Sequence, residues 1–459
     1  MKGESLNITQ DNLDKLQTLF PDIFTEGKID MEKFKATFSD DINFANERYV
    51  LNWAGKSDAF KVLQIPTTAT LKPQHDQSVN FDTTQNVFIE GENLEVLKVL
   101  QKSYYGKVRV VSIDPPYNTG SDSFIYPDSF KENKADYEKR IGDKDEEGYL
   151  MKEGLFRKNN KDSGHFHSNW LSMMYPRLFL AKNLLQENGV IFVHIDDNEV
   201  HNLRLLMNEI FGEENFITEI VWQRTFATKN DSKYFSTEHE YILLYAKSIS
   251  GLTINLLERG EKQNIRYQNP DNDERGPWTS TDLLRMEHRD NSVYTIVSPN
   301  GKEWTPQSGT SWRHPEKEML ELIANNEVTF GSDGNAKPRR KRFLSEVKQG
   351  IIPQTIWKHD EVSHTQEAKQ SLNKLFDGVP VFSTPKPIKL IKKMLQISTA
   401  KESNDFIVDF FAGSAATAEA VMEQNKEDGG NRKYILVQLP ELCDPESEAF
   451  KVDYKTIAD

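Results

Sequence analysis

The residues Asp114-Pro115-Pro116-Tyr117 bring together a carboxylate, a backbone fixed by two prolines and an aromatic ring. A carboxylate and a nearby backbone carbonyl can accept the two N–H bonds of an exocyclic amine on a nucleobase. That amine is a weak nucleophile because its lone pair is delocalised into the ring, and accepting both bonds draws the nitrogen toward a tetrahedral geometry. An aromatic ring stacks on a base that has left the duplex. The four residues predict a site for a flipped base.

The sequence before this motif predicts a strand that would position it. Val108–Ile113 is a nearly continuous apolar run, which is typical of a strand buried on both faces of a parallel sheet. Pro115 has no N–H to donate, so the strand must end there. Residues just beyond the carboxyl ends of strands line the ligand crevice of an open α/β sheet. A plain turn is the alternative interpretation of Asp-Pro-Pro alone, and the strand and Tyr117 favour a site.

A second informative stretch spans residues 406–415, where an apolar strand runs into a turn of small residues and then a helix over 416–423. Gly413 lets the backbone approach a ligand closely, and the helix N-terminus offers free N–H groups to a carboxylate. The sequence contains neither G-x-G-x-x-G nor G-x-x-x-x-G-K-[ST]. A dinucleotide or a nucleoside triphosphate is therefore disfavoured, which weakens a dehydrogenase as an alternative function.

Apolar patterns elsewhere predict the remaining strands of one sheet. A strand over 86–90, a helix and the strand Val108–Ile113 form a β-α-β unit with a right-handed crossover. Further strands are predicted over residues 190–195, 216–222, 241–245 and 434–439. The fold class is α/β, with a mixed, mainly parallel sheet.

The chain divides into four predicted segments. These are a helical N-terminal arm over 1–60, a first catalytic part over 61–247, an inserted segment over 248–380, and a second part over 381–459. The inserted segment mixes tryptophans with basic residues, a composition suited to base-edge and phosphate contacts; the alternative is a small unrelated domain. Its densest basic run predicts DNA contacts by Lys337, Arg339, Arg340, Lys341 and Arg342. The long polar loop over 118–161 is expected to lie near the DNA.

Composition limits the classes of function. The net charge of −14 requires that any DNA-binding charge be concentrated in one region. A single cysteine, Cys443, excludes internal disulfides and cysteine-cluster metal sites and fits a reducing cytoplasm. No histidine pair has metal-ligand spacing, so no metal is expected. No apolar run approaches a membrane span, and the N-terminus lacks the pattern of a signal peptide.

The motif Asp114–Tyr117, the segment between the motifs, and the late Phe411-Ala412-Gly413-Ser414 together resemble the β class of amino-group DNA methyltransferases, which is circularly permuted. More narrowly, the chain resembles the modification subunit of type III restriction–modification systems outside the middle segment. The resemblance implies a Rossmann-like methyltransferase fold with an inserted target-recognition domain.

The resemblance also implies roles for individual residues. It places S-adenosylmethionine against Asp409, Phe411, Gly413 and Ser414, with Asp114 facing the transferred methyl group. Pro385 and Lys386 would lie beside the methionine end. Gln438 matches the position that faces the ribose, and Glu92, followed by Asn93, the position near the adenine ring. Two departures are Ala415, where the general motif has a second glycine, and Glu92, where aspartate is more usual.

The function implied is methylation of adenine N6 in double-stranded DNA, by a homodimer that works with a helicase/nuclease restriction subunit. Cytosine N4 is the alternative target, disfavoured because that class more often begins the motif with serine. A non-catalytic or truncated DNA-recognition subunit is the alternative from another class. It is kept because the chain stops at Asp459, whereas type III modification subunits continue further.

Overall fold

The computed structural model describes residues 7–25, 27–38, 50–120, 125–126, 157–158, 164–228, 232–347 and 350–459. Most of the predicted polar loop over 118–161 lies outside these ranges. The chain forms two compact units, one of Met1–Asn255 with Gln354–Asp459 and the other of Leu256–Pro353.

The helices and strands of the described residues are numbered in chain order. The α-helices are α1 Ile8–Leu19, α2 Met31–Thr37, α3 Lys56–Gln64, α4 Asn93–Tyr104, α5 Phe166–Leu184, α6 Val200–Phe211, α7 Glu261–Asn264, α8 Glu316–Ala324, α9 His359–Val362, α10 Thr365–Leu375, α11 Ile388–Ser398, α12 Ala416–Asp428 and α13 Glu448–Lys451. The strands are β1 Phe24–Thr25, β2 Lys28–Ile29, β3 Val87–Glu90, β4 Val108–Ile113, β5 Ile125–Tyr126, β6 Arg157–Lys158, β7 Leu185–Ile195, β8 Phe216–Gln223, β9 His239–Ala246, β10 Trp278–Asp282, β11 Leu284–Arg285, β12 Ile296–Val297, β13 Glu303–Trp304, β14 Ser311–Trp312, β15 Val328–Thr329, β16 Arg339–Phe343, β17 Ile356–Trp357, β18 Phe406–Asp409 and β19 Lys433–Gln438.

One large sheet organises the first unit. Among the described residues it has the strand order β17-β8-β9-β7-β4-β18-β19-β3. Strand β9 runs antiparallel to both of its neighbours, while the other pairings are parallel. The predicted mixed, mainly parallel α/β sheet is therefore confirmed.

Strand β4 lies at the centre of this sheet, and all six of its residues are buried. Successive side chains of a strand point to opposite faces. On one face, Val111 and Ile113 join the main core cluster with Trp170 of α5. On the other, Ser112 contacts the Met394 sulfur of α11 at 3.8 Å. Helices thus cover both faces of β4, which explains its uninterrupted apolar sequence.

The sheet register brings the two informative stretches together. Strands β4 and β18 are parallel neighbours, with Ile407 opposite Val110 and Val408 opposite Val111. Because parallel strands end at the same edge of a sheet, Asp114 and the turn after Asp409 lie side by side.

The second unit, Leu256–Pro353, is shorter than the inserted segment predicted over 248–380. Residues following it belong with the large sheet, since β17 pairs in parallel with Val221 and Trp222 of β8. The second unit has its own core around Trp312 and Met319 and an antiparallel sheet of β10, β16 and β15.

The last part of the predicted N-terminal arm packs against α5 and the main core of the first unit. The Trp53 indole N–H donates to Ser172 Oγ of α5 at 2.9 Å. Ala59 and Leu63 of α3 are buried in the same core. Within the described ranges, no helix is both long and apolar enough to cross a membrane.

Candidate functional site

A cavity of about 500 Å³ opens at the carboxyl edge of the large sheet. This volume suits a small-molecule ligand. It is lined by every residue predicted for catalysis or cofactor binding, namely Glu92, Asn93, Asp114, Pro115, Pro116, Tyr117, Pro385, Lys386, Asp409, Phe411, Gly413, Ser414 and Gln438. The structure thus gathers side chains from five separate stretches of the chain, while their individual roles remain predictions.

Asp114 is the centre of a charged network inside the cavity. Its Oδ2 accepts a hydrogen bond from Lys386 Nζ at 2.7 Å, and its Oδ1 accepts one from the Tyr117 hydroxyl at 2.8 Å. Burial raises the pKa of the Tyr117 phenol, and the charges of Asp114 and Glu240 raise it further. Burial by itself would lower the pKa of Lys386, but the same two carboxylates outweigh it, so the pKa is raised. Tyr117 is therefore a neutral phenol and Lys386 an ammonium ion.

Glu240 is a second carboxylate in this network, and the sequence analysis missed it. Its side chain is only 5% exposed. Its Oε1 accepts from Arg224 Nη1 at 2.5 Å, while its Oε2 lies 3.1 Å from the Tyr117 hydroxyl and 3.7 Å from Lys386 Nζ. The available signal was a charged residue early in the otherwise apolar strand β9, His-Glu-Tyr-Ile-Leu-Leu-Tyr-Ala.

Hydrogen bonds from α5 and from Glu199 fix the backbone around Asp114. The Trp170 indole N–H donates to the Pro116 carbonyl at 2.7 Å. The next turn needs a positive φ of 58° at Asn118, a conformation that asparagine tolerates better than most residues. The Asn118 amide donates to the buried Glu199 carboxylate at 2.5 Å. Both bonds hold the C-terminal side of the motif.

The turn between β18 and α12 forms the other wall of the cavity. Gly413 has φ +51°, and a Cβ there would approach the Phe382 ring to 3.2 Å. Its N–H donates to Gln438 Oε1 at 2.7 Å. Ala415, the departure from the general motif, also has a left-handed φ of 58°. A non-glycine residue in this conformation is strained, and a Cβ at Gly413 would also require the Phe382 ring to shift by a few tenths of an ångström.

The Asp409 carboxylate stabilises this turn through two hydrogen bonds. It accepts from the Phe411 N–H at 3.0 Å and from the Thr417 hydroxyl at 2.7 Å. Burial raises the pKa of Asp409 to about 7, although both hydrogen bonds oppose that shift. Asp409 therefore has a structural task besides any contact with a ligand.

Glu92 and Asn93 are oriented by Arg177, which the sequence analysis also missed. Arg177 Nη2 pairs with Glu92, and its Nε donates to Asn93 Oδ1 at 2.6 Å. Asn93 Nδ2 in turn donates to the Phe410 carbonyl at 2.9 Å. Glu92 also caps α4 by accepting from the Glu95 N–H at 2.9 Å. These bonds join the end of β3 to the turn after β18.

The predicted DNA-contacting residues lie in the second unit, in and before β16. Lys341 differs from the others because its side chain is 1% exposed and is paired with Asp271 and Asp273. A buried ammonium held by two carboxylates is not presented to a phosphate. Arg342 is exposed, while Lys337, Arg339 and Arg340 contact Asp282, Ser280 and Glu327 at distances of 2.9 to 3.3 Å. The prediction of DNA contacts is therefore kept for Lys337, Arg339, Arg340 and Arg342 and dropped for Lys341.

The cavity has the size and the polar lining to hold S-adenosylmethionine. A sulfonium is a cation, and the carboxyl groups of Asp114, which is paired with Lys386, and of Asp409, whose pKa is raised, line the cavity. The turn at Gly413 supplies a backbone surface on the cavity wall, and glycine adopts its positive φ without strain. Glu92 and Gln438 bring acceptors suited to an adenosine hydroxyl or amine.

The sequence is similar to several known proteins. Residues 108–441 match a family model described as DNA methylase. The StyLTI Mod subunit of the type III restriction–modification enzyme from Salmonella typhimurium is 36% identical, over 97% of this chain and 68% of that protein. The EcoPI Mod subunit of Escherichia phage P1 is 33% identical, over 96% of this chain and 72% of its own length. The EcoP15I Mod subunit of Escherichia coli is 31% identical, over 97% of this chain and 73% of that protein.

Both the family model and these relatives cover most of the chain. The motif Asp114–Tyr117 and the turn around Gly413 lie inside the matched range. The chain therefore belongs to the DNA methylase family and, within it, to the Mod subunits of type III restriction–modification enzymes.

Proposed function

We propose that this chain transfers the methyl group of S-adenosylmethionine to N6 of an adenine flipped out of double-stranded DNA, as the modification subunit of a type III restriction–modification system. One observation carries the proposal: the amine-accepting Asp114–Tyr117 motif and the small-residue turn at Gly413 line a single cavity. Adenine is preferred to cytosine because the motif begins with Asp114 and because the similar proteins are Mod subunits.

Asp114 and the Pro115 carbonyl would accept the two N–H bonds of adenine N6. Tyr117 would stack on the base. Asp114 need not be a strong base, because the nitrogen becomes acidic only as the new bond forms. Holding the amine in line with the methyl group can contribute about 7–11 kcal/mol to lowering the barrier. The Trp170 bond to the Pro116 carbonyl supports this role by fixing the motif.

The other wall would hold the cofactor. When bound, S-adenosylmethionine supplies an electrophilic methyl group on its sulfonium. The Gly413 backbone, Phe411 and Ser414 would pack against the cofactor, and Gln438, already tied to the Gly413 N–H, would face the ribose. Glu92, oriented by Arg177, would face the adenosine base.

We assign target recognition to the second unit, Leu256–Pro353. Its exposed Arg342, with Arg339 bonded to Ser280 and with Lys337 and Arg340 paired with Asp282 and Glu327, would supply positive charge for phosphate contacts. This positive charge supports DNA binding by a chain whose net charge is −14. The proposal also includes a restriction subunit as partner, a homodimeric state and a cytoplasmic location. These three points rest on membership in the Mod family. Sedimentation of the purified chain tests the dimer.

Radiolabelled methyl transfer to DNA, with mass analysis of the released nucleosides, tests the proposed reaction. We expect N6-methyladenine from the wild-type chain and at least a hundredfold loss in Asp114→Ala. Asp82→Ala, at an exposed position outside the cavity, is the matched control and should remain active. Methylcytosine as the product would replace adenine by cytosine as the target. Binding of DNA without transfer by the intact chain would support a non-catalytic recognition subunit instead.

A further inference from the structure

The acceptor carboxylate of the cavity is already occupied. Lys386 Nζ lies 2.7 Å from Asp114 Oδ2, and the Lys386 side chain is 14% exposed. An amine that approaches Asp114 meets this cation. As N6 takes up the methyl group it acquires positive charge, and a neighbouring ammonium opposes that charge. The charge on N6 therefore favours a move of Lys386 away from Asp114 to another partner during methyl transfer.

Glu240 is placed to be that partner. Its Oε2 lies 3.7 Å from Lys386 Nζ, about one ångström beyond the bond to Asp114. The Glu240 side chain is 5% exposed, so solvent screens its negative charge only weakly. Its other oxygen is held by Arg224, which leaves Oε2 directed at Tyr117 and Lys386. A short rotation of the lysine side chain exchanges one carboxylate for the other.

We propose that Glu240 is a positioning residue that receives Lys386 when the base amine takes Asp114. This step rests on the proposed function, since it concerns the amine acceptor of that same reaction. Glu240 also keeps the Tyr117 hydroxyl between the two carboxylates, at 2.8 Å from Asp114 and 3.1 Å from Glu240, so the ring keeps its angle while Lys386 moves. Two carboxylates and two cations balance in charge both before and after the exchange.

Removing the Glu240 charge separates this role from a merely structural one. In Glu240→Gln, Asp114 is the remaining carboxylate that the described residues place within 4 Å of Lys386 Nζ, so we expect the lysine to stay there. We expect kcat at saturating cofactor to fall about 10- to 100-fold. The matched control is Glu219→Gln, which removes a carboxylate from the neighbouring strand β8 and should leave kcat unchanged.

The decisive variant is the double substitution Glu240→Gln with Lys386→Met. If the lysine blocks Asp114 in Glu240→Gln, then removing the lysine raises kcat above that of Glu240→Gln, by about tenfold. A structural role for Glu240 predicts the opposite, because two damaging substitutions would lower kcat further. A double variant no faster than Glu240→Gln, or a Glu240→Gln with wild-type kcat, overturns the inference.

A second readout confirms that the variant still folds and extrudes its base. DNA with 2-aminopurine at the target position fluoresces when that base leaves the stack, and this base has no 6-amino group to compete for Asp114. We expect the same fluorescence increase from Glu240→Gln as from the wild type; a lost increase would assign the defect to extrusion and overturn the inference. Absence of methyl transfer by the wild-type chain would instead overturn the proposed function.

Discussion

Lys386 Nζ and Asp114 Oδ2 form a 2.7 Å ion pair, although 272 positions separate the two residues in the chain. The pair joins the segment before α11 to the motif after β4, so it ties together the two halves of the catalytic unit. The ammonium of Lys386 also offsets the negative charge of the Asp114 carboxylate before any substrate binds.

Tyr117 has a ring and a hydroxyl with separable effects. Tyr117→Phe keeps the stacking surface and loses only the bonds to Asp114 and Glu240, so we expect kcat to fall by less than about tenfold. Tyr117→Ala removes a base-stacking contact of about 1–3 kcal/mol. Steady-state kinetics should show kcat/KM for DNA falling at least about fivefold more in Tyr117→Ala than in Tyr117→Phe. Equal losses in the two variants would argue against stacking.

Gly413→Ala tests the cofactor turn. The added methyl group meets Phe382 at 3.2 Å and is strained at φ +51°, so we expect the affinity for S-adenosylmethionine to fall about tenfold. Calorimetric titration measures this. The control is Gly429→Ala, which has a similar φ of +70° at the end of α12 but open space around its Cβ. It should cost about 1 kcal/mol of stability and leave the cofactor affinity unchanged. Unchanged affinity in Gly413→Ala would contradict the assignment.

Asp409 makes stability depend on pH. Burial raises its pKa from 3.8 to about 7 in the folded chain, so between these values the folded state retains a proton that the unfolded state has lost. The contribution to stability therefore decreases as pH rises from about 4 to about 7 and is constant above that. Asp409→Asn keeps the acceptor for Phe411 and removes this titration. Denaturant unfolding at several pH values should show the wild type losing stability relative to Asp409→Asn over this window. Parallel curves would contradict the raised pKa.

Lys341 and Arg342 are adjacent in sequence and should behave oppositely. Lys341→Met leaves Asp271 and Asp273 without their buried ammonium, and we expect a loss of about 3–5 kcal/mol in the stability of the second unit. Arg342→Met lies on the surface and should leave stability unchanged. It should weaken DNA binding and reduce the salt slope by about 0.9. Thermal unfolding and salt titrations of DNA binding check both effects. A salt slope unaffected by Arg342→Met would remove it from the DNA surface.

Local patterns predicted the strands well because burial on both faces leaves a clear sequence signal. Val108–Ile113 has the predicted bounds, and the small-residue turn around Gly413 follows its strand as expected. Trp357 was assigned by composition to the inserted segment, but it belongs to edge strand β17. The strand was missed because two residues are too few to show a periodic pattern.

The cavity residues that were missed are those whose role depends on tertiary contacts. Glu240 and Arg224 lie at the facing ends of β9 and β8, and only the antiparallel pairing brings them together. Arg177 occupies an ordinary position within α5 and is identified only by its bonds to Glu92 and Asn93. Lys341 shows the converse, because a basic run in sequence conceals which member turns inward to a pair of carboxylates.

The most direct test of the central claim is a structure of the full chain with target DNA and sinefungin, which carries an amine where the cofactor carries its methyl-bearing sulfonium. We predict adenine N6 within hydrogen-bond distance of Asp114, the sinefungin amine about 3–3.5 Å from N6, and the cofactor on the Gly413 turn. A target base outside this cavity, or a cofactor bound away from that turn, would contradict the account.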